Sequence, residues 1–176
     1  MTKPTKLSEI DTTKLTFTEL KAGGKGGKFG NIQYNGGKCQ FKIPKSTTFG
    51  ADEYTSEDGT KQWTIQVQIK KEDIESDPEI KNTMEGFKRF EKALRENAKE
   101  NGQEYFGNKL KKKQKVSDEF LDASMNPIYK TSVNKETGEE DDRYHTFKVK
   151  LQPDRKKEGR FSFGAFDSKK EPLELT

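Results

Sequence analysis

At 176 residues, with 28% hydrophobic and 36% charged side chains, the chain has the length of one domain and material for only a small core. Twelve Phe and 10% aromatics, set in ordered patterns, argue against a wholly disordered chain, and no apolar run approaches the length that spans a membrane. The net charge of +4 is mild and names no partner, while a single cysteine, Cys39, excludes an intrachain disulfide and fits a reducing compartment.

Residues 1–13 read as a polar arm with no apolar run of the signal-peptide kind, ahead of a single domain over 14–176. An intracellular, unsecreted protein is expected. Residues 14–20 read as a strand with Leu15 and Phe17 on one face. Residues 23–27 break it, and an extended pattern resumes over 29–34. Asn35-Gly36-Gly37 is a hairpin-turn signal. Over 38–43 Cys39, Phe41 and Ile43 alternate with Lys38, Gln40 and Lys42, and Pro44 closes the strand. Residues 49–60 read as loop, with Asp58-Gly59 as a turn. The clearest strand is 62–70: Trp63, Ile65, Val67 and Ile69 share one face, and Gln62, Thr64, Gln66 and Gln68 the other.

A long helix is expected over about 78–101. Asp77 caps it, Pro78 opens its first turn, and Glu79 sits against the positive end of its dipole. Ile80, Met84, Phe87, Phe90, Leu94 and Ala98 recur at spacings of three and four, the pattern of a helix packed on its own sheet, and Gly102 ends it. A basic loop follows at 109–115, then a short helix over 117–123 capped by Ser117. Strands at 127–133 and 144–151 flank an acidic turn, with Phe147, Val149 and Leu151 on one face of the second and Lys148 and Lys150 on the other. Residues 160–166 read as a last strand, and 173–176 as a further short one. The fold class expected is mainly β, an OB-like barrel with one long inserted helix, which also admits an α+β description.

Catalysis finds no support. One histidine, His145, and one cysteine cannot build the usual zinc sites. Cys39 alternates with apolar residues as a packed thiol does, and Asp141-Asp142 lies on a charged turn without the spaced carboxylates of a two-metal centre. Nor is the glycine-rich stretch a phosphate loop: Ala22 stands where its first Gly belongs and Phe29 where its hydroxyl belongs. No enzyme activity, cofactor or metal is expected.

Polyanion binding fits better. Lys21, Lys25, Lys28, Lys38, Lys42 and Lys45 lie in a segment, 20–45, that holds no acid. Lys109, Lys111, Lys112, Lys113 and Lys115 form a second basic block, whereas acids gather at 72–79 and 136–142. Phe29, Tyr34, Tyr54, Tyr105 and Phe106 stand among Gly, Asn and charged residues, where a ring is free to stack on a base. Tyr34 in particular is expected at a strand end with few core contacts. Trp63, Phe41, Phe147 and Phe161 read as core. These lysines and aromatics form the candidate nucleic-acid-binding set.

The order LTFTELKAGGKGGKFGNIQYNGGKCQFKIPKSTTFGADEY, KQWTIQVQI, FKRFEKAL, TFKVKLQ and FSFGAFDSKKEPLEL resembles the single-stranded-DNA-binding proteins of large eukaryotic DNA viruses. These are distantly similar to the OB-fold replication binding proteins of T-odd phages. The resemblance covers most of 15–175 and implies sequence-independent coating and protection of unwound strands in replication, recombination or repair. It implies single-stranded DNA and replication proteins as partners and the site of viral DNA replication, in host cytoplasm or nucleus, as the setting. Such proteins often continue past the segment resembling AFDSKKEPLEL into further strands, so either a shortened form or a barrel closed differently is expected. The phage proteins carry an acidic recruiting tail; Leu173-Glu174-Leu175-Thr176 is not one, so recruitment of partners by that route is not expected. An RNA-binding module and a non-catalytic scaffolding protein are the alternatives, and the protein is expected as a monomer or dimer.

Overall fold

The computed structural model describes residues 4–23, 28–55, 59, 61–110, 115–133 and 137–151. The chain divides into two compact units, 1–45 with 72–128 and 46–71 with 129–176, where the sequence reading has a single domain.

The first unit holds one long helix and several short strands. β1 (Thr5–Lys6) leads into a 3-10 turn at Leu7–Glu9, and a second 3-10 turn at Thr12–Lys14 leads into β2 (Leu15–Phe17). β3 (Lys21–Ala22) pairs with β4 (Lys28–Phe29) as a separate antiparallel hairpin. β5 (Ile32–Tyr34) pairs with both β2 and β6 (Gly37–Lys38). Its turn is the expected one: Asn35 and Gly36 have φ of +51° and +71°, the twist a two-residue hairpin loop requires.

The strand expected over 38–43 is interrupted. β6 ends at Lys38, and β7 (Phe41–Lys42) turns away to pair in parallel with β1. The cause is Phe41, whose ring lies 5.5 Å from those of both Tyr34 and Phe90 in edge-on contact. Packing that half-buried ring fixes the chain direction and leaves Ile43 37% exposed.

After α1 (Lys71–Ser76) comes the long helix, α2 (Pro78–Glu100). Its start is as the sequence implies: the Asp77 carboxylate accepts from the amides of Glu79 and Ile80 at 2.8 and 3.4 Å, with Pro78 in the first turn. Met84, Phe87 and Ala98 of the apolar stripe are buried; Ile80, Phe90 and Leu94 are half-buried. The stretch read as a polar arm covers the N-terminal half of this face. Leu7 is 2% exposed and Ile10 is also buried, and a Cβ on Gly86 would overlap the Leu7 carbonyl oxygen. Arg89 donates to the Ser8 carbonyl at 2.9 Å. Two apolar residues in a polar stretch are enough to seat it, because the helix offers a notch at Gly86.

Asn101 caps α2, and a short α3 (Gly102–Phe106) follows where the sequence places only a stop. α4 (Asp118–Ser124) starts on the Ser117 hydroxyl, which accepts from the Phe120 amide at 3.2 Å. Ala98, Leu110, Val116 and Leu121 form a small core here, and Arg95 and Lys99 clasp Asp122 and Asp118 at 2.6 and 2.7 Å.

The second unit is one antiparallel sheet of β8 (Thr47–Thr55), β9 (Lys61–Lys70), β10 (Lys130–Val133) and β11 (Glu140–Leu151), in the order β10-β11-β9-β8. β9 pairs with β11 over eight positions, from Tyr144 opposite Lys70 to Leu151 opposite Trp63. Residues 49–60 were expected as loop, yet β8 runs to Thr55. Pairing with β9 overrides weak local strand preference, with a register shift between Thr48 and Ala51. Gly59, shortly before β9, has φ +78°, a left-handed conformation that suits glycine. Trp63 is only half-buried, while Val67, Ile69 and Leu151 on its face are buried.

The class is therefore mixed α and β with one long helix. Among the described residues no sheet closes into a barrel. The Gly- and Lys-rich segments yield strands of two or three residues, too short to wrap a continuous sheet. The strands expected at 160–166 and 173–176 lie outside the described residues.

Candidate nucleic-acid interface

In an antiparallel sheet, residues directly opposite share a face and successive residues alternate. The register of the second unit therefore sorts its side chains without ambiguity. Trp63, Ile65, Val67 and Ile69 of β9 share one face with Leu151, Val149, Phe147 and His145 of β11. The opposite face carries Gln62, Thr64, Gln66, Gln68 and Lys70, set against Lys150, Lys148, Thr146 and Tyr144. β8 adds Tyr54 opposite Gln62 and Asp52 opposite Thr64; β10 adds Lys130 opposite Thr146.

This polar face has the two parts a single strand needs. Lys70, Lys130, Lys148 and Lys150 are all exposed, and among its described side chains Asp52 is the one acid. Tyr54 is 61% exposed at the edge strand. Tyr144 is half-buried under the Arg143 guanidinium, 5.9 Å above its ring. Between the cations lie glutamines and threonines, which donate and accept without adding charge. Of these residues only Tyr54 is in the sequence-derived set. Lys148 and Lys150 were visible there as the wet side of an alternating strand. Their coincidence with Tyr54 depends on pairing between strands far apart in sequence.

The lysine-rich stretch of the first unit is distributed differently. Lys21 stands opposite Phe29 in the β3–β4 hairpin; both are exposed, Phe29 by 51%. Lys28 is exposed, and its ammonium donates to the Glu104 carbonyl at 3.3 Å. Lys38, Lys42 and Lys45 are exposed along the following segment, Lys42 beside Lys6 of β1. Lys25 lies outside the described residues. In the second basic block Lys109 and Lys115 are exposed, while their neighbours Leu110 and Val116 are buried. Lys111, Lys112 and Lys113 lie outside the described residues.

Three of the aromatics expected to stand free are packed. Tyr34 is half-buried with its ring against Phe41, and its hydroxyl accepts from the Asp11 amide at 3.2 Å. The expectation of few core contacts is overturned, because the segment 5–14 and Phe41 close around a strand end that looks open in sequence. Tyr105 and Phe106 pack on the core of α2 and α4. The Tyr105 hydroxyl donates to Asn97 Oδ1 at 2.6 Å, and Phe106 meets Phe120 at 5.2 Å. Burial, helped by the Glu104 charge, raises the Tyr105 phenol above its ordinary pKa. Phe29 and Tyr54 remain as the exposed rings of the set.

Among the described residues no group of three or more His, Cys, Asp and Glu is placed to hold a metal, and no helix is long and apolar enough to cross a membrane. The Cys39 thiol is half-buried and its pKa is pushed up by that burial, which disfavours the nucleophilic thiolate. Comparison with protein-family models, with curated proteins and with solved structures returned no match.

Proposed function

We propose that the protein binds single-stranded DNA without reading its sequence, and that the polar face of the β8–β11 sheet is a principal contact surface. The observation that carries this reading is the face itself: four exposed lysines, an exposed tyrosine and a lawn of neutral polar side chains, with Asp52 as the one described acid, on one side of a sheet whose other side carries Trp63, Ile65, Val67, Ile69, Phe147, Val149 and Leu151. Lysines neutralise phosphates and release counterions, and a ring accepts any base. Lys21 and Phe29, side by side on the β3–β4 hairpin, offer the same combination in the first unit. No catalytic step is part of the reading. Its role would be to coat unwound strands where viral DNA is copied or repaired, as the sequence resemblance suggests. The finer fold that accompanies it is an OB-type barrel.

Fluorescent oligo-dT and oligo-rU of equal length, titrated at several salt concentrations, test the proposal. Binding of oligo-dT should weaken with salt, with a log-log slope of about 0.7 for each phosphate neutralised. Preference for oligo-rU would replace DNA by RNA as the ligand. Absence of salt-sensitive binding to either would leave a scaffolding role instead.

A further inference from the structure

The first unit contains a cleft of about 290 Å³ between the strands and the helices. Its wall includes the rings of Phe17, Tyr105 and Phe106 and the side chains of Leu20, Ile32 and Leu94. That volume lies at the lower end of small-molecule sites, about 300 Å³, and suits one planar ring system better than a large cofactor. Three aromatic side chains in so small a wall favour a flat guest. Asn31 and Asn97 also line it; Asn97 Oδ1 already accepts from the Tyr105 hydroxyl, which leaves the Asn97 amide nitrogen and the Asn31 side chain as polar groups that can meet the edge of a base.

The lip of the cleft carries charge of both signs: Lys28 and Glu104 meet beside it, and exposed Glu19 lies between Thr18 and Leu20, which line it. Leu20 and Gly30 line it, and the next residues, Lys21 and Phe29, are opposite one another and exposed on the β3–β4 hairpin. The Lys28 ammonium, on the Glu104 carbonyl, sits one residue from Tyr105 in the wall. A Cβ on Gly30 would come within 3.0 Å of Leu20 Cδ2 and 3.1 Å of the Thr18 carbonyl, so glycine keeps that lip thin. The Glu104 carboxylate is engaged by the Leu20 amide at 3.2 Å. An apolar, ring-walled recess with the Lys28 ammonium beside it can take a base whose neighbouring phosphate meets that lysine.

From this arrangement we infer that the cleft captures one unstacked base of the bound strand while Lys28 holds an adjoining phosphate. The inference rests on the single-strand-binding reading and adds to it a specific pocket in the first unit. Bases of single strands are free to splay out in this way, whereas paired bases are not.

The test uses the full chain and oligo-dT carrying one abasic residue, walked along the oligomer. One abasic position should lower affinity by roughly 5- to 150-fold, the range for one lost base contact. Asn31→Trp should abolish that positional effect while keeping the salt slope. Asn31 is exposed and its hydrogen bonds with Thr18 use only its own backbone, so the variant is expected to fold. Photocrosslinking of 5-iodouracil-substituted oligomers to the unaltered protein is the check that needs no variant. Crosslinks at Phe17, Tyr105 or Phe106 support capture. An oligomer that binds with no abasic-sensitive position and crosslinks only outside the cleft overturns the inference and leaves the function standing. If no oligomer binds at all, both fall.

Discussion

Two tyrosines with similar polar neighbours in sequence have opposite surroundings, and they make the sharpest test at the level of single residues. Tyr54 is 61% exposed on the polar sheet face. Tyr54→Ala should weaken single-strand binding by about 1–3 kcal/mol, one lost base stack, with an unchanged melting temperature. Tyr34 is fixed by Phe41 and by the Asp11 amide. Tyr34→Phe should therefore cost roughly 0.5–1.5 kcal/mol of stability in denaturant unfolding, the worth of one hydrogen bond, and leave DNA affinity alone. The opposite pattern, with Tyr34→Phe blind to DNA and Tyr54→Ala unstable, would show that the stacking ring had been misassigned. Sequence context cannot separate these two cases. Both rings follow polar residues, and only the fold decides which one a second segment covers.

At the level of elements, what was legible depended on how local the cause is. The start of α2 follows from Asp77 and Pro78 and its buried stripe from spacing alone; β9 follows from strict alternation. The seat of Leu7 on Gly86 was illegible, because neither residue carries a pattern and the contact joins positions 79 apart. The polar sheet face was half legible: alternation gave its residues, but not which strands lie side by side. Gly86→Ala should expose the first of these hidden contacts. The added methyl would overlap the Leu7 carbonyl, an overpacking cost of about 1–3 kcal/mol outweighing the gain in helix propensity, measured by thermal or denaturant unfolding. The clasp between α2 and α4 gives a pH signature. The hydrogen bond from Lys99, then its charge and the Arg95 guanidinium, holds the Asp118 carboxyl below its ordinary value of 3.8. A depressed folded-state pKa stabilises above the unfolded value and is lost as pH falls through the folded one. Acid unfolding should therefore be less steep below about pH 4 in Asp118→Asn than in the unaltered protein. Identical acid curves would mean that the clasp is too solvated to contribute.

For the molecule as a whole, the decisive quantity is how the positive charge is used, since a net charge of +4 on 176 residues is too small to explain polyanion binding by average field alone. Binding must come from local sets of lysines, and the two units each present one. Lys148 and Lys150 stand on the polar sheet face of the second unit; Lys21 and Lys28 stand on the hairpin of the first. All four are exposed, so replacing them by alanine should leave the melting temperature within the small range typical of surface substitutions, about ±0.5 kcal/mol. The salt dependence should respond instead. Each phosphate contact removed lowers the log-log slope by about 0.7, so Lys148→Ala/Lys150→Ala and Lys21→Ala/Lys28→Ala should each lower it by roughly 1.4. If both surfaces hold the strand, the quadruple variant should lose close to the sum of the two effects, as separated sites do. A slope that falls with only one pair would confine the interface to that unit. A slope that falls with neither would place the phosphates on other cations, and the surfaces described would then have no part in binding.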